Sequence, residues 1–128
     1  MAKQINPWIF CARPNSQAKL RLFCFPCAGG LPGIYGPWVK QLPATVELCA
    51  LQLPGRGRRT QEASITQLPE LLAQLVPAIA DYAPLPFAFL GHSFGGILGF
   101  EVAHELRRQF SLSPEHLCVC ACAAPQVH

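Results

Sequence analysis

The sequence predicts an α/β fold, a mainly parallel sheet with helices flanking it, and three observations carry that prediction. Four short apolar runs, over residues 20–25, 46–53, 86–90 and 117–123, each end at proline or at a glycine turn. Between the last three lie segments whose apolar residues recur at helical spacing. The composition agrees. About half of the 128 residues are hydrophobic and only 13% are charged, against about 25% in an average domain. A low charge content suits strands covered on both faces, and strands alternating with helical connections call for parallel pairing.

Taken in order, residues 1–19 are mixed in character and broken by prolines, and read as an N-terminal arm. Residues 20–25 are nearly continuous apolar chain and run directly into Pro26 and then Gly29-Gly30, a buried strand entering a tight turn. Residues 31–42 hold Pro32, Gly33, Gly36 and Pro37, and read as a loop with at most a short helix near Trp38. The second strand, 46–53, ends at Pro54-Gly55 and an arginine-rich loop through Arg59. Next, Leu68, Leu71, Leu72, Leu75, Val76 and Ile79 share one helical face. Pro69 falls in the first turn, where its missing N–H costs little, whereas Pro77 is expected to kink or shorten the helix. The third strand, 86–90, feeds Gly91-His92-Ser93-Phe94-Gly95 and then a helix to about Gln109. There Glu101, His104, Glu105 and Arg108 form a polar face, while Ile97, Leu98, Val102 and Leu106 turn inward. Residues 117–123 form a fourth strand, closed by Pro125. No repeat or low-complexity segment interrupts this order, so the domain organisation is an arm over 1–19 and one partial α/β domain over 20–128.

The totals exclude several function classes. A net charge of +3, with Arg56, Arg58 and Arg59 as the one tight basic cluster, does not make a nucleic-acid surface. No run approaches the ~20 apolar residues of a membrane span. The first residues lack a signal peptide, so the expected location is the cytoplasm. Seven cysteines, an odd number without an export signal, argue against a disulfide framework. Cys24 and Cys27 form a C-x-x-C pair, but Cys24 lies inside an apolar run and no second pair follows at metal-ligand spacing. Cys118, Cys120 and Cys122 alternate along the fourth strand, and all of these cysteines read as small core residues. No metal and no cofactor of the protein's own is expected.

The chemistry lies at Gly91-His92-Ser93-Phe94-Gly95, a G-x-S-x-G pattern with a strand before it and a helix after it. Such a turn strains the serine backbone and crowds its neighbours, so glycine two residues before and after avoids a Cβ clash. The hydroxyl is then presented at the carboxyl edge of the sheet and at a helix N-terminus, where developing negative charge is favoured. Ser93 is therefore the candidate nucleophile. One oxyanion donor would be the backbone N–H of Phe94, and the second would come from the loop after the first strong strand. In that loop the Ala28 N–H is favoured, with Cys27 as the alternative.

No residue completes a triad. Asp81, the only aspartate, precedes the third strand and so falls at the opposite edge. Glu101, His104 and Glu105 belong to a solvated helix face, and Glu115 and His116 precede the last strand. His92 adjoins the serine but points away on so sharp a turn, and is expected to pack or hydrogen-bond locally. His128 alone lies beyond a strand's carboxyl end, and it is a weak candidate for the base.

These segments also carry a resemblance. LFCFPCAGG over 22–30, YGPW over 35–38, LPGR over 53–56 and GHSFGG over 91–96 occur in this order and spacing, and FEVAHELRR follows over 100–108. Together they resemble the type II thioesterases, the stand-alone editing enzymes that accompany nonribosomal peptide and polyketide synthases. The resemblance covers about residues 20–127 and implies the N-terminal half of an α/β-hydrolase fold, with later strands and the lid absent. It implies hydrolysis of acyl groups held as thioesters on the phosphopantetheine arm of an acyl or peptidyl carrier protein. It makes Ser93 the nucleophile and the Phe94 and Ala28 amides the oxyanion donors. Many relatives have histidine where this chain has Cys27, a change that a backbone donor survives. Family members run to roughly twice this length, and their acid and catalytic histidine lie in the part absent here, so activity of the 128-residue chain alone is doubtful. An esterase or lipase of the same fold, or a truncated non-catalytic remnant that binds a carrier protein, are the alternative readings. Arg56, Arg58 and Arg59 would either steer an acidic carrier protein or form a solvated loop.

Overall fold

In chain order the elements are β1 (Lys3–Asn6), β2 (Ile9–Cys11), β3 (Leu20–Phe25), β4 (Val46–Leu51), α1 (Leu68–Tyr82), β5 (Phe87–His92), α2 (Phe94–Phe110) and β6 (Leu117–Cys120). The computed structural model describes residues 3–11, 14, 17–26, 41–54, 59, 61–62, 65, 67–82 and 86–120. The strands form one sheet in the order β1-β2-β4-β3-β5-β6. β3 is parallel to β4, with Leu20 opposite Val46 and Cys24 opposite Ala50. On its other side β3 is parallel to β5, with Phe25 opposite Gly91. β6 continues the parallel set beside β5.

The arm over 1–19 contributes two strands that the sequence reading did not assign. β1 pairs antiparallel with β2, and β2 pairs antiparallel with β4. Strands of four and three residues are too short for their alternation to be read. The available signal was Asn6-Pro7: the Trp8 N–H donates to the Asn6 side-chain oxygen at 2.8 Å, an Asx-type turn.

Both helices pack on one face of the sheet. Leu71, Leu75, Val76 and Ile79 of α1 and Leu98, Val102 and Leu106 of α2 close over Phe23, Phe25, Phe87 and Phe89. The rings of Phe25 and Phe89 meet edge to face at 4.8 Å, one of several such contacts that add to the area they bury. Pro69 lies in the first turn of α1, as expected. Pro77 does not end the helix, which runs on to Tyr82. Pro77 is exposed while Val76 and Ile79 on either side of it are buried. Packing on that face offsets the one backbone bond that proline removes. The opposite face of the sheet carries a smaller cluster of Cys24, Leu48, Ala50 and Leu90. Cys118 stands opposite Leu90 on this face, and it is exposed rather than in the core. Among the described strands β6 is the outermost there, and Cys118 lies beside β5 alone of them.

At the amino edge of the sheet a buried carboxylate is held by three donors. Glu47 is 3% exposed, and its Oε1 accepts from Arg21 Nε at 3.1 Å, the Tyr82 hydroxyl at 3.0 Å and the Cys49 thiol at 3.5 Å. The Arg21 guanidinium also lies 4.0 Å from the Tyr82 ring centroid and donates to the Tyr82 carbonyl. Burial is the largest single influence and works against the Arg21 charge. The bond to Glu47 and the charges of Tyr82, Glu47 and Cys49 together outweigh it, and the pKa is raised above the usual arginine value. Arg21→Met would leave the Glu47 carboxylate buried without a counter-charge. Two donors remain, so the expected cost is about 3 kcal/mol, at the low end for breaking such a pair. Urea unfolding should show it as a lower midpoint at unchanged slope.

Candidate active site

β3 connects outward to β4 on one side, whereas β5 connects outward to β6 on the other. The carboxyl ends of β3 and β5 therefore flank the point where strand order reverses, the crevice in which open α/β sheets bind ligands. Ser93 sits there, between the last residue of β5 and the first of α2.

Its backbone has φ 57° and ψ −120°, one of two positive-φ non-glycine residues among those described. That conformation is costly for a residue with a Cβ and persists only where the surroundings impose it. Here two glycines impose it through different contacts. A Cβ on Gly91 would lie 2.3 Å from the Gly95 carbonyl oxygen and 2.6 Å from Gly96 Cα, so Gly91 lets β5 press against the start of α2. A Cβ on Gly95 would lie 2.3 Å from the Phe25 oxygen and 2.7 Å from the Pro26 oxygen, so Gly95 lets α2 press against the exit of β3.

The Ser93 carbonyl accepts from the Gly96 N–H at 2.9 Å and begins the helix, but its side chain makes no capping bond. The hydroxyl is thus not spent on the helix end, where serine would normally use it. As first residue of α2, Phe94 has an N–H that no intrahelical carbonyl takes, at the positive end of the helix dipole. Its ring packs on the core beneath. Cys27, Ala28 and His128 lie outside the described residues.

The remaining candidates do not converge on Ser93. Asp81 is exposed near the end of α1, beside Tyr82, whose carbonyl bonds Arg21 at the amino edge. The Glu115 N–H and the His116 carbonyl bond Phe87 and Phe89 at the entry of β5, again the amino edge. On α2, His104 is exposed, and Glu105 is held in an ion pair with Arg108 at 2.6 Å. That partner keeps the Glu105 carboxyl below the usual glutamate range. Glu101 and Glu105 are partly covered and face a groove of about 450 Å³ between α1 and α2, with Leu68 and Leu72 opposite. His92 is exposed at the end of β5 rather than packed. Cys24, from the C-x-x-C pair, is fully buried, and burial pushes its thiol pKa up, the reverse of a reactive thiol.

One member of the basic cluster is not on the surface. The Arg59 side chain is 8% exposed. It donates through Nε and Nη2 to both oxygens of Glu62 at 2.7 Å, and through Nη1 to the Gln52 carbonyl. Its guanidinium stacks 4.1 Å from the centroid of Trp8, in the turn between β1 and β2. Neither steering nor a solvated loop describes Arg59, which fastens the chain after β4 to the N-terminal hairpin; Arg56 and Arg58 lie outside the described residues. Arg59→Ala is expected to lower stability by about 2 kcal/mol through lost bonds and ring contact. The ionic-strength dependence of any reaction should stay unchanged, and denaturation alongside rate measurements at several salt concentrations checks both.

The whole region from β3 onward, residues 20–128, matches the thioesterase domain family. The gramicidin S biosynthesis protein GrsT of Aneurinibacillus migulanus is 41% identical over 97% of this chain and 48% of its own length. The medium-chain S-acyl fatty acid synthase thioesterase of Homo sapiens is 36% identical over 84% of this chain and 41% of its own. Among solved structures, the type II thioesterase BorB from the borrelidin biosynthetic cluster superposes with TM-score 0.89 at 34% identity. That match covers 97% of this chain and 50% of BorB. The chain spans about half the length of the relatives it matches. The fold is that of the type II thioesterases, an α/β-hydrolase fold, and no helix among the described residues is long and apolar enough to cross a membrane.

Proposed function

Because this chain belongs to the thioesterase domain family, we propose that the full-length protein hydrolyses acyl thioesters carried on the phosphopantetheine arm of a synthase's carrier protein. Ser93 is the nucleophile, and the backbone N–H groups of Phe94 and Ala28 hold the oxyanion. The observation that carries the proposal is the Ser93 turn itself. Its backbone is strained, its hydroxyl is left out of the helix cap, and Gly95 brings the exit of β3 against it at the sheet's switch point.

The chemistry follows from this arrangement. The Ser93 oxygen attacks the thioester carbonyl carbon, and the carbonyl electrons move onto an oxygen facing the two amides. The C–S bond then breaks and the pantetheine thiol leaves, with the acyl group on Ser93. Water repeats the attack on the acyl-enzyme and frees the carboxylic acid. Serine needs a base for this and the base needs an orienting acid. Asp81, Glu115 and His116 stand at the far edge, and Glu101, His104 and Glu105 lie on α2. His92 is exposed directly before Ser93, on a turn that points adjacent side chains apart, so both groups are assigned to the part of the protein beyond the matched half. The substrate brings its own phosphopantetheine, and no cofactor of the protein's own takes part.

An acyl-pantetheine thioester and the oxygen ester of the same acyl group distinguish this reading from an esterase of the same fold. The full-length protein is expected to show the higher kcat/KM on the thioester, and higher still when the thioester sits on a carrier protein. A preference for the oxygen ester would replace the proposal with the esterase reading.

A further inference from the structure

Two fully buried cysteines from different strands touch on the helix-covered face of the sheet, and neither belongs to the site above. Cys11 ends β2, Cys49 lies within β4, and their sulfurs are 3.3 Å apart. The ladder places them directly opposite. Ile9 pairs with Leu51 and Phe10 with Ala50, so the next pair in register is Cys11 with Cys49. Its phase follows from the Gln52 N–H donating to the Trp8 carbonyl at 2.9 Å, which makes Trp8 and Gln52 a hydrogen-bonded pair. Pairs alternate along an antiparallel ladder, so Cys11 and Cys49 occupy a non-hydrogen-bonded site, with Cα atoms about 4.5 Å apart and side chains drawn together. That spacing lies inside the range a disulfide spans, about 4.4–6.8 Å. Closing a bond of about 2.05 Å from the present contact needs about 1.3 Å of sulfur movement.

The surroundings separate this pair from a metal centre. Glu47 completes a cluster of three possible ligands within 4.8 Å. Its Oε1, however, already accepts from Arg21, Tyr82 and Cys49, and a guanidinium 3.1 Å from that oxygen opposes a divalent cation. The cluster reads instead as a relay in which Cys11 donates to Cys49 and Cys49 to Glu47.

We propose that Cys11 and Cys49 form a redox modification site, a dithiol that a peroxide closes into a disulfide fastening the N-terminal hairpin to β4. One thiol, as its thiolate, attacks the peroxide, the O–O bond breaks, and the sulfur becomes a sulfenic acid with release of one water. The second thiolate attacks that sulfur, the S–O bond breaks, and the hydroxyl leaves as a second water carrying the displaced thiol proton. The two sulfurs lose two electrons in all, and the peroxide gains them. Both thiols are buried, and the Cys11 contact, burial and the Glu47 carboxylate push the Cys49 thiol pKa up, so both access and the thiolate come when the outer hairpin opens locally.

The test is hydrogen peroxide treatment of the full-length protein, followed by intact mass and peptide mapping without reductant. A peptide joining Cys11 to Cys49, lighter by two hydrogens, is expected. Tm should rise by about 5 °C or more, because the bond closes a long loop of the unfolded chain, and reductant should reverse the rise. Cys11→Ser should abolish the cross-link and Cys118→Ser should leave it in place. If Cys11→Ser does not fold, the map of the unaltered protein decides. Sulfinic acid on either buried sulfur without a cross-link would overturn the proposal. So would both thiols remaining reduced under excess peroxide in mild urea that opens the hairpin, or zinc that survives dialysis and blocks the cross-link.

Discussion

Ser93→Ala in the full-length protein is expected to lower kcat for acyl-pantetheine hydrolysis by about four orders of magnitude or more. KM should change little, because the hydroxyl forms its bond to the substrate only as the reaction proceeds. The size of the effect follows from the mechanism: without the hydroxyl there is no acyl-enzyme, and the amides alone cannot supply a nucleophile. Stability tells a second, independent story. Alanine keeps the Cβ and so keeps the strain of φ 57°, whereas glycine removes it. Ser93→Gly should therefore be as inactive as Ser93→Ala yet more stable, by about 1 kcal/mol. Steady-state kinetics and urea unfolding on the two variants check this. Appreciable turnover by Ser93→Ala would remove Ser93 from the mechanism, whereas equal stability of the two variants would count only against the strain.

Gly95→Ala carries the largest expected structural penalty. Its Cβ would meet two backbone oxygens, those of Phe25 at 2.3 Å and Pro26 at 2.7 Å. Neither can rotate aside as a side chain would, so α2 must withdraw from the end of β3. The expected cost is about 3 kcal/mol or more, the upper range for overpacking. The same withdrawal moves the Phe94 amide relative to the loop after β3, and a 1 Å displacement in an active site lowers rates by about a hundredfold. Gly99→Ala, one turn further along the same helix, is the control. Its Cβ would meet the Phe25 ring at 3.4 Å and the Leu117 side chain at 3.6 Å, ordinary contact with groups that can yield. Removing a glycine from a helix interior should then leave stability unchanged or raise it by about 0.5–1 kcal/mol. Thermal unfolding of both variants, with kcat, measures the contrast.

Much of this arrangement is legible from neighbouring residues. The apolar runs at 20–25, 46–53 and 86–90 fall on β3, on β4, which stops at Leu51, and on β5, which continues to His92, and the periodic segments fall on α1 and α2. Side chains on a strand or a helix face are chosen by a repeat of two or 3.6 residues, and such a repeat is visible without knowing what it packs against. The Ser93 turn is legible for a related reason. Its demand for glycine at 91 and 95 is imposed within a few residues, so it leaves a local pattern.

What stayed hidden depends on partners far along the chain. Nothing near Arg59 announces that Trp8 and Gln52 will enclose it, so a basic cluster reads as surface when one member is buried. The Glu47 carboxylate looks like an ordinary polar residue in an apolar strand until Arg21 and Tyr82 arrive from other elements. Cys11 and Cys49 are two unremarkable small residues until the hairpin register sets them face to face. Pro77 looks like a helix end until packing on both sides of it shows otherwise. The local chain thus establishes the class of fold and the residue at its reactive turn. Tertiary contacts alone select which polar groups are buried and which sulfurs meet, because the free energy of those choices comes from groups dozens of residues apart that only folding brings together.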